Sequence, residues 1–230
     1  MNKINLYRWN RCLLTTAYFP PIDFFVALAN SNEIFIESKE NFQKQSYRNR
    51  TNILSANGVL SLSIPIKRGG ELNTHKIAIN QIEIDYSVDW VIQHKRAIEA
   101  AYMNSPFFIY YKDDIFSILD KKIAKLFDLN SALIEKLVFL CGINKKLSYT
   151  ENFENYISNN PTRELVDREQ IDLRGIIHPK YNGESLLRLL NMEKPYWQVF
   201  TKQGFITNLS ILDLLFNEGP NSISFLMLES

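Results

Sequence analysis

The dominant hydrophobic period of the chain changes near Ser87, and that change limits the fold more than any other feature. Before it, apolar residues mostly alternate in short runs; after it they mostly recur three and four positions apart. Strand-forming sequence therefore precedes helix-forming sequence. The clearest early run is Arg50 to Ala56, then Asn57-Gly58, then Val59 to Ile66, where Leu60, Leu62, Ile64 and Ile66 alternate strictly. Asn-Gly between two such runs predicts a β-hairpin with a type I′ turn, in which both central residues take positive φ.

The residues ahead of the hairpin read as strand, short helix, strand. Cys12 to Tyr18 is apolar, Pro20-Pro21 opens a segment in which Ile22, Phe25, Val26 and Ala29 fall at helical spacing, and Glu33 to Glu37 alternates. Proline suits a helix entrance, and the order suits a compact βαβ unit. A further alternating run, Lys76 to Ile84, predicts another strand. From Ser87, placed to cap a helix, Trp90, His94, Ala97, Ile98 and Ala101 share one face of a helix that ends before Pro106. Asp113 to Phe127 and Ser131 to Cys141 predict two more helices, the first with Lys121, Lys122 and Lys125 at its end, the charge order a helix dipole favours. Short strands are expected at Leu147 to Tyr149 and Ile176 to Ile177, and a last helix over Ser210 to Asn217, closed by Gly219-Pro220. The expected fold is α/β or α+β: an N-terminal mixed sheet layer over about residues 1–85, packed by a mainly helical part over about 86–230, in a single domain.

Composition narrows the functional classes. With 46% apolar and 13% aromatic residues the 230-residue chain buries a core without staples, and its two cysteines fall in no metal or redox spacing. Lys and Arg number 26 against 25 Asp and Glu, so no bulk field gathers nucleic acid or an anionic membrane. Any anion has to be gripped locally. No uncharged run approaches the roughly 20 residues of a membrane span. A cytoplasmic protein is expected, and near-neutral charge with many aromatics permits self-association.

Local chemistry points to two places. Arg48-Asn49-Arg50, preceded by Tyr47, puts two guanidinium forks beside an amide, a pattern suited to phosphate or carboxylate. His94 lies on the buried face of its helix, one turn from Trp90, where an imidazole can serve as a general base or be a hydrogen-bonded core residue. Tyr102, Asn104 and Ser105 ahead of Pro106-Phe107-Phe108 can form a pocket wall or simply core. His75, His94 and His178 stand in no metal-ligand spacing, and no metal is expected. Serine-hydrolase, P-loop and dinucleotide motifs are absent from the sequence. No cofactor is indicated by any motif.

Several segments taken in order resemble the WbqC-like protein family of bacteria, in particular its Bacteroidetes-type members. They are Leu14 to Ile22 with Tyr18-Phe19-Pro20-Pro21, Tyr47 to Arg50, Ser55 to Gly58 with Leu60 to Pro65, Trp90 with His94 and Arg96, Ala101-Tyr102 with Ser105 to Phe108, and Asn208 to Pro220. The family takes its name from a protein of surface-polysaccharide (O-antigen) gene clusters, and members have been suggested to transfer acyl or aminoacyl groups to amino sugars. The resemblance thus implies a cytoplasmic sugar-modifying transferase acting on a nucleotide-activated or lipid-linked sugar. The family pattern carries over to Asn49, Arg50, Trp90, His94 and Tyr102, with His94 as the catalytic base and the others binding substrate; Arg48, from the guanidinium pair, and Tyr18 are expected beside them as substrate-binding residues. Where the family pattern carries Gln-Pro or His-Gln-Pro, this chain has Thr15 and Thr16. Two alternatives stand beside this reading: a nucleotidyltransferase-like enzyme, which the βαβ opening suits but which lacks histidines at the first strand-to-helix turn, and a non-catalytic binding or assembly subunit of a polysaccharide biosynthesis complex.

Overall fold

The computed structural model describes residues 9–67, 76–154, 169–202 and 204–228. Its framework is a four-stranded parallel sheet. Strands β1 (Trp9–Thr15) and β2 (Ser31–Glu37) flank helix α1 (Ile22–Ala29), and the short strands β5 (Leu147–Tyr149) and β6 (Gln170–Asp172) extend the sheet to the order β5-β2-β1-β6. A separate antiparallel hairpin pairs β3 (Arg50–Ser55) with β4 (Gly58–Ser63). The remaining helices are α2 (Trp90–Tyr102), α3 (Phe108–Asp120), α4 (Leu126–Leu140), α5 (Leu186–Leu189), α6 (Ile211–Glu218) and α7 (Ser222–Leu226).

Helix α1 is apolar on every side apart from Asp23, and all eight of its residues are buried. A helix without a polar stripe has no face to give to water, so it lies between layers rather than on one. It contacts β1, β2, α5, α6 and α7. Lys145 donates from Nζ to the carbonyls of Leu28, Ala29 and Ser31, supplying a cation to α1's unsatisfied C-terminal end.

Register decides which side chains the sheet sends to each face. Cys12 pairs with Ile34 and Ile171, and Leu14 with Ile36; this set is buried against the core. Leu13 pairs with Phe35 and Asp172, and Thr15 with Glu37, so the opposite face carries carboxylates toward the C-terminal ends of its strands. Parallel sheets are usually apolar on both faces, and charge at one end of one face calls for local partners.

Several expected elements differ. The hairpin loop is Ala56-Asn57, because Ser55 pairs with Gly58, and only Gly58 takes positive φ (102°). That is the pattern of an ordinary turn followed by a glycine bulge rather than type I′. Lys76 to Ile84 is not a strand: Ile79 and Ile82 are both buried, three residues apart, and a 3-10 turn at Ile79–Gln81 carries both inward. Isolated bridges at Ala78, Ile84 and Glu83 are all that remains of the alternation. The second helix starts right after Pro106-Phe107 and ends at Asp120, so Lys122 (φ 48°) and Lys125 lie in a connection instead of in its last turn. The third begins at Leu126 rather than Ser131. Ser87 caps nothing; its N–H donates to Asp85, and Asp89 occupies the N-cap position of α2. Ile176 and Ile177 form a turn after β6, whose single apolar residue, Ile171, left no periodicity to read. His75 and the Arg68-Gly69-Gly70 segment lie outside the described residues.

Candidate active site

The chain runs outward from β1 to β2 to β5, then returns to place β6 on the other side of β1. In open parallel sheets this reversal leaves a crevice beyond the carboxyl ends of the strands, where neighbouring connections leave in opposite directions. A hollow of about 650 Å³ lies there, walled by Lys39, Glu40, Asn41 and Gln43 after β2, by Asp172, Arg174, Gly175 and His178 at and after β6, and by Arg48 and Phe153.

Two arginine–carboxylate systems build it. Arg174 donates to Asp172 from Nε (3.0 Å) and Nη2 (2.7 Å), to Glu37 from Nη1 (3.2 Å), and to the Glu154 carbonyl from Nη2 (2.8 Å). Glu37 is fully buried and also accepts from Thr150 Oγ1 and from the backbone N–H groups of Lys39 and Glu154. The register explains this junction: Asp172 and Glu37 leave the same sheet face, on either side of β1, and one planar fork spans them. With all three of its nitrogens engaged, Arg174 is a strut of the wall.

Arg48 differs. It is 2% exposed, and Glu40 takes its Nε and Nη2 in a bidentate pair. Burial pushes the Glu40 carboxyl up, and the Arg48 guanidinium pulls it back. The bonds of the Arg48 fork within the described residues run from Nε and Nη2, and the residue lines the hollow, so Nη1 keeps its two N–H donors for a ligand. The loop behind it is fixed, since the Arg48 carbonyl accepts from Asn130 and the Tyr47 carbonyl from the Tyr18 N–H. His178 lines the same hollow; burial lowers its pKa, and the nearby Arg48 and Lys180 charges lower it further. Its Nδ1 accepts the Lys180 N–H at 3.1 Å, which leaves the proton of the neutral ring on Nε2. The ring therefore offers a hydrogen-bond donor at neutral pH. Among the described residues, no group of three or more His, Cys, Asp or Glu is placed to hold a metal ion.

Of the residues singled out in the sequence, Arg48 reaches this hollow and the others lie elsewhere. Asn49 donates to the Ile64 carbonyl (2.9 Å), and Arg50 to Ser63 Oγ (3.2 Å) at the base of the hairpin. His94 is 5% exposed; its Nδ1 meets Tyr18 Oη at 2.9 Å, and its ring packs edge-on to Trp90. Burial lowers its pKa to about 4, against a backbone hydrogen bond to Ser63. Arg50 and His94 thus meet at one residue, Ser63, but both polar contacts of the imidazole are to protein. Tyr102 is buried, and its Oη accepts the Leu54 N–H (3.3 Å) near Asp213. Tyr18, Trp90 and His94 form one aromatic cluster under α2.

Sequence reasoning missed Glu37, Glu40, Phe153, Asp172 and Arg174, and weighed His178 only as a metal ligand. The sequence signals one edge alone: Glu37 closes the apolar alternation of Ile34 and Ile36 and so marks the carboxyl end of a strand, whereas Asp172 follows a single apolar residue and marks none.

The profile of the WbqC-like protein family matches residues 16–225, which include the whole lining of the hollow. The uncharacterized protein Rv1507c of Mycobacterium tuberculosis is 24% identical over 234 residues, which cover 93% of this chain and 96% of that protein. No solved structure gives a significant match to the chain. Among the described residues, no helix is long and apolar enough to cross a membrane.

Proposed function

The chain belongs to the WbqC-like protein family, and we propose that it is a sugar-modifying transferase whose phosphate-bearing sugar substrate binds at the carboxyl edge of the parallel sheet. One observation carries the reading: the buried Arg48 fork, held in place by Glu40, keeps Nη1 for a ligand in a polar hollow at the topological switch point. A phosphate or carboxylate oxygen is the partner such a donor pair favours. Lys39, Arg48 and Arg174 are roughly balanced by Glu40, Asp172 and Glu37, so the site suits a ligand of mixed polarity, as an amino sugar phosphate is. His178 Nε2–H supplies a donor to a carbonyl or phosphoryl oxygen during acyl or aminoacyl transfer. His94 is given no chemical step here, because Tyr18 and Ser63 occupy its ring.

The strand order also favours a second reading, a nucleotidyltransferase-like enzyme. Such an enzyme would seat phosphates on the N–H groups at the start of α1. Here the Ile22 N–H donates to the Leu209 carbonyl, the Asp23 N–H donates to Asn208 Oδ1, and the Asp23 carboxyl sits at that end. The protein has already filled that place, and the transferase reading is preferred.

A thermal-shift panel of hexosamine phosphates, sugar nucleotides, acyl-coenzyme A and nucleoside triphosphates on wild type and Arg48→Lys tests the proposal. A ligand at one hundred times its Kd stabilises by about 2.7 kcal/mol. The proposal expects the hexosamine phosphates or sugar nucleotides to raise Tm in wild type and to lose most of that rise in Arg48→Lys, which keeps a cation beside Glu40 but not the fork. A response confined to nucleoside triphosphates, or one equal in both proteins, would overturn it.

A further inference from the structure

Phe153 is a large apolar side chain in a wall whose other side chains are charged or polar, and it is 50% exposed. The exposed half of such a ring gains nothing from the hydrophobic effect until a ligand covers it. It is also held from behind: the Arg174 guanidinium lies 5.2 Å from its centroid, and that guanidinium is fixed in its own plane by Asp172, Glu37 and the Glu154 carbonyl. The backbone next to the ring is pinned too, by the Glu154 N–H donating to Glu37. A ring stacked on a locked cation and facing a hollow is a preformed platform.

We propose that Phe153 is a stacking platform for the C–H face of the substrate's sugar ring. The proposal rests on the reading of the hollow as a sugar phosphate site and adds what orients the sugar within it. The face of a benzene ring carries partial negative charge, and the C–H bonds on one face of a pyranose carry partial positive charge. A pyranose laid on Phe153 turns its hydroxyl edge outward, where Asn41, Gln43 and the Glu40 and Asp172 carboxylates supply donors and acceptors. Its phosphate is then taken by Arg48. A nucleobase is the less suitable occupant: both of its faces are apolar, and the hollow offers one apolar ring, Phe153, among charged, amide and imidazole groups suited to many hydroxyls.

The test is calorimetric titration of wild type, Phe153→Ala and Phe153→Trp with glucosamine 1-phosphate, uridine monophosphate and inorganic phosphate. Loss of a well-stacked ring should weaken glucosamine 1-phosphate by about tenfold in Phe153→Ala. Inorganic phosphate, held through Arg48 alone, should bind all three proteins equally. Phe153→Trp should keep the sugar phosphate affinity, and its added indole should change emission on saturation. Equal glucosamine 1-phosphate affinity in wild type and Phe153→Ala would overturn the platform while leaving the Arg48 reading intact. A loss confined to uridine monophosphate would overturn the sugar assignment in favour of a base. Failure of wild type to bind glucosamine 1-phosphate at all would overturn the sugar site and the platform together.

Discussion

Acid should destabilise this protein through His94, and replacing that residue should remove the effect. Burial against Trp90 and Tyr18 lowers the imidazole pKa from 6.5 to about 4. Above pH 6.5 neither folded nor unfolded ring is protonated, and the group contributes no pH dependence. Between 6.5 and about 4 the unfolded chain takes up a proton that the folded chain refuses, so stability falls as pH falls. At about 1.36 kcal/mol per pH unit, that gap sets a ceiling of roughly 3 kcal/mol. Asp23 works in the opposite sense. Burial raises its carboxyl from 3.8 to about 7, against hydrogen bonds from Asn208 and the backbone, so it favours the folded state increasingly as pH falls from 7 toward 4. The total pH profile therefore hides both effects, and the assay has to be a difference. Urea unfolding of wild type and His94→Gln at pH 7.5 and 4.5 cancels Asp23, which both proteins share, while glutamine can still meet Tyr18 but does not titrate. The stability advantage of wild type over the variant should shrink by about 2–3 kcal/mol on acidification. Parallel profiles would refute the sealed, neutral imidazole and return His94 to the accessible, titratable kind that a general base requires.

Two further substitutions probe the frame around the site. Thr16 is fully buried beside the end of β1, and its Oγ1 has no partner among the described residues, so Thr16→Val should leave Tm unchanged or raise it slightly; a loss above about 1 kcal/mol in chemical denaturation would mean the hydroxyl is engaged. Gly219 ends α6 at φ +55°, and a Cβ there would meet the Phe107 ring at 2.4 Å, so Gly219→Ala should cost at least about 1–2 kcal/mol by the same measurement, and an unchanged midpoint would contradict the close approach.

Elements with many residues of one period were legible in the sequence. The βαβ opening, the two hairpin strands and the body of α2 are where the sequence puts them, because each carries a run of apolar positions long enough to show its spacing, while the hairpin's turn type and the cap of α2 are not. Lys76 to Ile84 was misread because Ile77, Ile79, Ile82 and Ile84 fit alternation and a 3-10 turn almost equally, and only the Asn80-Gln81 interruption separates them. The carboxyl-edge hollow was illegible for a different reason. β5 and β6 have three residues each, far too few for a pattern, and without them the sheet has no switch point and Glu37 and Asp172 have no shared face. Arg48 was found because a guanidinium near a strand start draws attention by itself. His94 drew attention as readily, but its burial, its bond to Tyr18 and its contact with Ser63 depend on packing between elements more than 30 residues apart in sequence. Local chemistry can nominate a residue; which hollow it faces is a property of the topology.

In a crystal of the protein soaked with a hexosamine 1-phosphate, density is expected beyond the carboxyl ends of β1 and β6, with a phosphate oxygen within hydrogen-bond distance of Arg48 Nη1 and the sugar ring lying on Phe153. A ligand bound instead beside His94 and Trp90, or at the start of α1 in place of the Asn208 contact, would contradict that placement.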